Sequence, residues 1–191
     1  MEIARLPDQF ETQRLFLQRL KYEDAEEIFY TYASKPEATR FVSWPTHNSV
    51  ADTKRYLSSA IPAWRAAREF NYTIRLKGES RLVGAIGAVN DNGKIQIGYV
   101  ISPASWNQGY ATEACKALLQ QLISLPFVFK IWTFVDAENT ASLAVLKKCG
   151  MIEEARLSLW HRFVNQDNQP KDCFIFDYPL QGDESVTETV R

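Results

Sequence analysis

The stretch Trp106-Asn107-Gln108-Gly109-Tyr110-Ala111-Thr112 decides how this sequence is interpreted. It lies between a strand-like segment that Pro103 stops and an amphipathic helical segment. At such a helix start, several backbone N–H groups have no intrahelical partner, and the helix dipole adds partial positive charge. Gly109 allows a ligand to approach the backbone closely, so the stretch predicts an anion site, with an ordinary helix start as the alternative. The amides expected to bind the anion are those of Gln108, Gly109, Tyr110, Ala111 and Thr112.

The period of the apolar residues changes on the two sides of this stretch. Residues 94–101 follow the period of a strand, whereas the apolar residues of 109–125 fall on one helical face. Pro126 ends that helix, and Val128 to Val135 is an apolar run typical of a buried strand. Because a helix connects the two strands, we predict a crossover in which the strands are parallel.

The rest of the chain alternates between helical and strand patterns. Together with the crossover, these patterns indicate an α+β fold in which helices flank a mixed, mostly antiparallel central sheet. Pro62 must kink or split the helix in which it lies. The further predicted strands are 15–20, 72–76, 82–89, 151–163 and 173–180, and the further helices are 22–33, 50–70 and 140–149.

Composition excludes several classes of function. The 191 residues carry a formal net charge of -1, which predicts no general attraction to nucleic acid or to an anionic membrane. No apolar stretch approaches the roughly 20 residues of a membrane span. The three cysteines are widely spaced, which argues against a disulfide framework and against a metal site. We expect a cytoplasmic protein with one domain over residues 1–180 and a polar tail over 181–191.

Five segments, in the right order, resemble the GNAT N-acetyltransferases, in the branch typified by the ribosomal-protein N-terminal acetyltransferases. Residues 109–114 read Gly-Tyr-Ala-Thr-Glu-Ala, as in that branch, although Trp106 stands where the general family pattern has Gln or Arg. The resemblance covers residues 10–180 and implies the GNAT fold, with a splayed parallel strand pair that binds the coenzyme. The other matching segments are residues 10–19 (Phe-Glu-Thr-Gln-Arg-Leu-Phe-Leu-Gln-Arg), Leu82-Val83-Gly84-Ala85-Ile86-Gly87, Ile97-Gly98-Tyr99-Val100-Ile101, and Glu138-Asn139-Thr140-Ala141-Ser142 followed by Lys148-Cys149-Gly150-Met151.

The resemblance implies acetyl-CoA as the co-substrate. In such enzymes the backbone of Tyr99, Val100 and Ile101 would bind the pantetheine arm like an extra strand, and the amides of residues 108–112 would hold the pyrophosphate. Asn139 would contact the arm through its side-chain amide. A helix N-cap is the alternative role for Asn139, and both roles are compatible.

The residues that carry the chemistry are assigned less directly. Ser142 would lie near the sulfur and help the leaving thiolate, because Leu146 stands where many relatives have a proton-donating Tyr, and a serine on an ordinary helix face is the alternative. Gln96 occupies a position that is often Glu in relatives, and it cannot accept a proton. His161, with an ordinary pKa near 6.5, is a candidate base, and a structural histidine is the alternative. Trp44 resembles an aromatic wall of the acceptor pocket, with a core position as the alternative.

We therefore expect an N-acetyltransferase that transfers acetyl from acetyl-CoA to a primary amine, either a protein N-terminus or a small molecule. A non-catalytic acyl-CoA-binding regulatory protein of the same fold is the alternative, and an unrelated α+β binding module is a third. The expected assembly is a monomer or a homodimer.

Overall fold

The computed structural model of the chain describes residues 6–180, so the predicted tail and the first five residues lie outside it. Strands and helices alternate along the chain in the mixed order that the sequence predicts. The strands are β1 (Gln9–Glu11), β2 (Leu15–Arg19), β3 (Glu69–Leu76), β4 (Leu82–Asp91), β5 (Lys94–Ile101), β6 (Lys130–Asp136), β7 (Ile152–Arg162) and β8 (Pro170–Tyr178). The α-helices are α1 (Ala25–Ile28), α2 (Pro36–Thr39), α3 (Val50–Arg65), α4 (Tyr110–Ile123) and α5 (Thr140–Lys148).

All eight strands form one sheet in the order β1-β2-β3-β4-β5-β6-β8-β7. Neighbouring strands are antiparallel except β5 and β6, which are parallel as the crossover predicts. The parallel pairing covers only residues 94–96 of β5 against residues 130–132 of β6. Beyond this point the two strands separate, and residues 97–101 have no strand partner on that edge within the described part of the chain. The expected fold, with its splayed parallel pair, is confirmed.

Helices pack on both faces of the sheet. Ile97 of β5 belongs to a buried cluster with Ala114 and Leu118 of α4. Val100, three residues later, belongs to a second cluster with Leu57 of α3 and Ile28 of α1. Successive side chains of a strand point to opposite faces, so α4 covers one face of β5, and α1 and α3 cover the other.

The helix that contains Pro62 is not split there, so the split that the sequence allowed as an alternative to a kink is wrong. Pro62 lies in the last turn of α3, and its exposed ring faces solvent. A proline so close to the C-terminus removes one hydrogen bond from a helix that stops at Arg65, so the rest of the helix persists. The following strand consequently begins at Glu69 and is longer than predicted.

The predicted helix over 22–33 is present but irregular. A 3₁₀ turn over Tyr22–Asp24 precedes α1, and a π-helical turn over Phe29–Ala33 follows it. Helix α2 and the edge strand β1 have no counterpart in the sequence prediction because each is too short to show a period. Within residues 6–180, no helix is long and apolar enough to cross a membrane.

Candidate functional site

The stretch 106–112 forms the turn between β5 and α4. A 3₁₀ turn over Pro103–Ser105 follows β5, and the indole N–H of Trp106 donates to the carbonyl of Ile101 at 2.9 Å, which closes the turn. Gly109 is the N-cap of α4 and has φ = 79°, in the left-handed region that favours glycine. The glycine is therefore needed for its backbone conformation as well as for close approach.

The backbone amides of this turn face outward without partners. Among the described residues, no backbone N–H from Asn107 to Thr112 donates to a backbone or side-chain acceptor. The first intrahelical bond runs from the N–H of Glu113 to the carbonyl of Gly109, at 3.1 Å. A row of free N–H groups at the positive end of a helix dipole fits a diphosphate. The row includes the predicted residues 108–112 and extends one residue before them.

Arg14 and Glu113 brace this turn, and the sequence analysis gave neither of them a role. The Arg14 guanidinium donates to the Gln108 carbonyl at 2.9 Å and to one Glu113 carboxylate oxygen at 2.7 Å. It also lies over the ring of Tyr110, with 4.8 Å from Cζ to the ring centroid. The other Glu113 oxygen accepts from the N–H of Arg14 at 2.9 Å and from the Thr12 hydroxyl. The contacts join two of the quoted sequence segments across a separation of 99 residues.

The free edge of β5 presents its backbone groups to the gap between β5 and β6. The N–H of Ser102 donates to Val83 of β4 at 2.8 Å, and successive residues of a strand point their polar backbone groups to opposite edges. Val100 therefore faces β4, whereas Tyr99 and Ile101 face the gap. The carbonyl of Ile97 has the same direction, because it accepts from the Thr133 hydroxyl of β6 at 2.8 Å.

Helix α5 brings two of the predicted residues together on the far side of the gap. Asn139 is its N-cap, and the side-chain oxygen accepts from the N–H of Ser142 at 3.1 Å. The Ser142 hydroxyl lies 2.7 Å from the phenol oxygen of Tyr99. Burial raises the pKa of Tyr99 well above its ordinary value, so the phenol stays protonated at neutral pH. Leu146 is buried in the core, which removes it from the site.

His161 lies in a different environment. Its ring packs against Phe134 and Phe163, with 4.8 Å between centroids in both cases. Nε2 is buried and has no hydrogen-bond partner among the described residues. Desolvation by burial lowers the pKa of His161 below its ordinary 6.5, so the imidazole is neutral at pH 7.

Trp44 lies in the loop over 40–49 that connects α2 to α3, and Asn165 of the β7–β8 hairpin holds that loop. The Asn165 amide donates to the carbonyls of Thr39 and Trp44 at 2.7 and 2.9 Å, and its oxygen accepts from the N–H of Thr46 at 2.9 Å. The half-buried Trp44 ring packs against the cluster that contains Val100. An open, polar cleft of about 540 Å³ separates the hairpin from α2; it is lined by Pro36, Glu37, Arg40, Asn165, Gln166, Asp167, Gln169 and Lys171.

The two predicted catalytic residues lie on opposite faces of the sheet. Ser142 is on α5, whose Leu146 shares a core cluster with Val135 of β6. His161 packs against Phe134, which points to the other face of β6 because it is the neighbour of Val135. We call the face with α4 and α5 the coenzyme side and the face with Trp44 and His161 the acceptor side, after the ligands that the sequence leads us to expect on each. Among residues 6–180, no cluster of three or more His, Cys, Asp or Glu side chains could hold a metal.

Comparison with known proteins identifies the family. A sequence model of the family described as acetyltransferase (GNAT) domain matches residues 14–152. The protein called uncharacterized N-acetyltransferase YoaA, from Bacillus subtilis (strain 168), is 26% identical over 169 residues, which are 87% of this chain and 93% of that protein. The crystal structure of a GNAT-family acetyltransferase from Bacillus anthracis matches with a TM-score of 0.76 at 24% identity, over 88% of this chain and 96% of that one.

A second solved structure, the microcin C7 self-immunity acetyltransferase MccE in complex with acetyl-CoA and AMP, matches with a TM-score of 0.81 at 17% identity. The match covers 92% of this chain and 98% of that chain. These likenesses agree with the observed sheet order and the splayed parallel pair. The family match also confirms the expectation of an acetyl-CoA-dependent acetyltransferase. Because the family model spans well over half of the sequence, the chain belongs to the GNAT family of acetyltransferases.

Proposed function

We propose that the acceptor is a primary amine and that acetyl passes to it directly from acetyl-CoA across the gap between β5 and β6. The row of free backbone N–H groups from Asn107 to Thr112, at the end of the strand that borders this gap, supports the acetyl-CoA part of the proposal, and the amine rests on the resemblance to the N-acetyltransferases. It fits a diphosphate at one end of the gap, and the gap then leads the pantetheine arm toward Ser142. MccE is a neighbour of the same fold whose structure holds acetyl-CoA.

Strand-like hydrogen bonds would hold the pantetheine arm. Tyr99 offers an N–H and a C=O toward the gap, whereas the Ile101 carbonyl is already bonded to Trp106 and leaves the Ile101 N–H. The polar backbone groups of Val100 face β4, so Val100 would make no hydrogen bond to the arm and would only space Tyr99 from Ile101. The Asn139 side-chain N–H₂ group has no partner among the described residues and is free to contact the arm.

The reaction needs a neutral amine and a stabilised leaving group. The amine nitrogen attacks the thioester carbonyl, and collapse of the tetrahedral intermediate breaks the C–S bond. A hydrogen bond to the thiolate lowers the barrier to this step. The phenol of Tyr99 stays protonated and can donate a hydrogen bond to the Ser142 oxygen. The Ser142 O–H is then free to donate a hydrogen bond to the thiolate. We therefore assign Ser142 as the donor and Tyr99 as the residue that orients it.

The acceptor would enter from the opposite face. A base there must remove a proton from the incoming ammonium, directly or through water. His161 is the candidate, because desolvation keeps its imidazole neutral at pH 7. Gln96, at the position often occupied by Glu in relatives, cannot serve. Trp44 would form one wall of the acceptor pocket, and the polar cleft beside α2 has room for the rest of a peptide.

An acceptor screen tests this function. Thiol release from acetyl-CoA is measured with N-terminal peptides, amino acids and polyamines at matched concentrations, against hydrolysis without acceptor. We expect at least one amine class to raise the rate well above hydrolysis, and a preference for peptides would identify a protein N-terminus as the substrate. Tight acetyl-CoA binding with no stimulation by any amine would instead support the non-catalytic regulatory protein.

A further inference from the structure

We propose that Arg14 is a positioning residue of the coenzyme site, which holds the β5–α4 turn in the form that presents its amides to a diphosphate. This inference rests on the proposed binding of acetyl-CoA. Arg14 lies on the approach to β2, far from the turn in sequence, and its contacts converge on three residues of that turn and the first turn of α4: Gln108, Tyr110 and Glu113.

The hydrogen bond to Gln108 sets the direction of the next amide. In a planar trans peptide unit, the C=O of one residue and the N–H of the following residue point in opposite directions. Nη1 of Arg14 donates to the Gln108 carbonyl at 2.9 Å, which fixes the direction of that carbonyl toward the guanidinium. The N–H of Gly109 must therefore point away from the guanidinium, toward the open side of the turn. The guanidinium thus fixes an amide in the middle of the free row.

Glu113 makes the guanidinium rigid. Nε and Nη2 of Arg14 both lie 2.7 Å from the same Glu113 carboxylate oxygen. The second oxygen is held by the Thr12 hydroxyl and by the N–H of Arg14. Hydrogen bonds therefore hold both the guanidinium and the carboxylate in place. This holds although 45% of the Arg14 side chain is exposed to solvent, compared with 19% for Glu113. A planar guanidinium held in this way loses little further conformational entropy when a ligand binds.

Charge balance gives Arg14 a second effect. Glu113 lies in the first turn of α4, where a carboxylate without a partner would repel a diphosphate at the adjacent amides. Partial burial alone would raise the pKa of Glu113, but hydrogen bonds from Thr12 and Arg14 outweigh it and hold the pKa below the usual value. Glu113 is therefore ionised, and Arg14 compensates its charge.

The test compares Arg14→Ala with a matched control. Arg156→Ala also removes an arginine that pairs with a carboxylate, Asp172 at 3.1 Å, and lies over an aromatic ring, Phe174 at 5.5 Å, but on β7. The dissociation constant for coenzyme A, measured by calorimetry, should rise about 10- to 30-fold in Arg14→Ala, as expected for a lost charge-assisted hydrogen bond and an unbalanced charge. It should stay unchanged in Arg156→Ala.

A second substrate separates positioning from general loss of structure. S-acetylpantetheine lacks the diphosphate, so its kcat/KM with a good amine should be equal in the wild type and in Arg14→Ala, while that for acetyl-CoA falls. An equal loss with both donors would overturn the role. Arg14→Lys keeps the charge but lacks the planar guanidinium, so it should weaken coenzyme A binding by less than Arg14→Ala does. Wild-type affinity in Arg14→Lys would also overturn the proposed role of Arg14.

Two failures can be told apart. If the wild-type protein does not bind coenzyme A, the proposed function and the role of Arg14 both fail. If the wild type binds coenzyme A and Arg14→Ala binds it equally well, only the role of Arg14 fails.

Discussion

The coenzyme side and the acceptor side of this protein are built in different ways. On the coenzyme side, the proposed ligand-binding groups are backbone N–H groups of residues 107–112, and the fold determines that they are free. On the acceptor side, the proposed site consists of side chains from separate segments, Trp44 and His161, and Asn165 holds the loop that carries Trp44. A backbone site tolerates changes of side chain and keeps one ligand, whereas a side-chain site can change its ligand with single substitutions.

The two sides also differ in how they are held together. Arg14 and Glu113 tie the coenzyme turn to the opening strand with charged groups at the surface. Asn165 ties the acceptor loop to the hairpin with neutral hydrogen bonds to backbone groups. Substitutions in the coenzyme turn and its Arg14–Glu113 brace should therefore change the affinity for coenzyme A, and those on the acceptor side should change only the use of the amine.

The largest expected effect is that of Gly109→Trp. An indole at the N-cap of α4 would cover the free amides, so we expect coenzyme A to bind at least about 100-fold more weakly, or about 2.7 kcal/mol, by calorimetry. Gly78→Trp is the control, because Gly78 has a φ of 81° against 79° for Gly109, and nothing lies within 4 Å of its added Cβ. Both variants should lose similar thermal stability, and only Gly109→Trp should lose affinity. Normal affinity in Gly109→Trp would exclude the turn as the diphosphate site.

A smaller effect, on kcat alone, is expected at the Tyr99–Ser142 pair. Ser142→Ala removes the hydrogen bond to the leaving thiolate, and a hydrogen bond to a charged group contributes about 1.5–3 kcal/mol, so kcat should fall about 10- to 100-fold. Tyr99→Phe should cause a similar fall, with KM for acetyl-CoA unchanged in each variant. Because the two hydroxyls lie 2.7 Å apart and act together, the double variant should be no slower than either single one. Additive losses would show that they act separately.

The sequence predicted the coenzyme side better than the acceptor side for a physical reason. A turn with free backbone amides at a strand–helix junction is a local feature, so Gly109 and the change of apolar period at residue 109 predict it directly. The parallel pairing of β5 with β6 followed from the crossover for the same reason. Arg14 and Glu113 each stood in a recognised segment, but their contact spans 99 residues and has no periodic signature.

The acceptor side depends on tertiary contacts that a single sequence does not encode locally. Asn165 lay in a segment interpreted only as a turn, because nothing near it in sequence indicates a partner 126 residues away at Thr39. The environment of His161 was equally hidden: alternation placed it on a strand, but its contact with Phe134 depends on β8 lying between β6 and β7. The split that the sequence allowed at Pro62 does not occur, because only three residues of the helix follow the proline.

Asn165→Ala tests whether the hairpin holds the acceptor loop. The carbonyls of Thr39 and Trp44 and the N–H of Thr46 would lose partners in a partly buried position, and such losses cost about 1–3 kcal/mol each. We expect kcat/KM for the amine to fall about tenfold, since part of that cost appears as disorder of the loop. KM for acetyl-CoA should not change. Asn90→Ala is the control, because Asn90 also holds backbone groups, those of Ala67 and Gly93 at 2.9 Å, but at the far end of β4. A rise in KM for acetyl-CoA in Asn165→Ala would contradict the separation of the two sides.

The smallest expected effect is at His161, and it depends on pH. An α-amine with a pKa of about 8 is roughly one-tenth neutral at pH 7, so removing the base by His161→Ala should lower the rate at pH 7 by no more than about tenfold and hardly at all at pH 9. Desolvation lowers the pKa of His161, so in the wild type the neutral base is present above pH 6.5 and is lost as the pH falls below that value.

The stability of the fold should also decrease as the pH falls. A pKa that is lower in the folded state than in the unfolded state means that the unfolded chain binds more protons, so the free energy of unfolding decreases as the pH falls below about 6.5. His47, whose pKa is also lowered mainly by burial, contributes in the same window. Denaturant unfolding from pH 7 to pH 5 should therefore show a shallower loss of stability in His161→Ala than in the wild type. If the pH–rate profiles of the two proteins coincide while the stability difference persists, His161 is a structural residue of the aromatic cluster with Phe134 and Phe163, and the base lies elsewhere on the acceptor side.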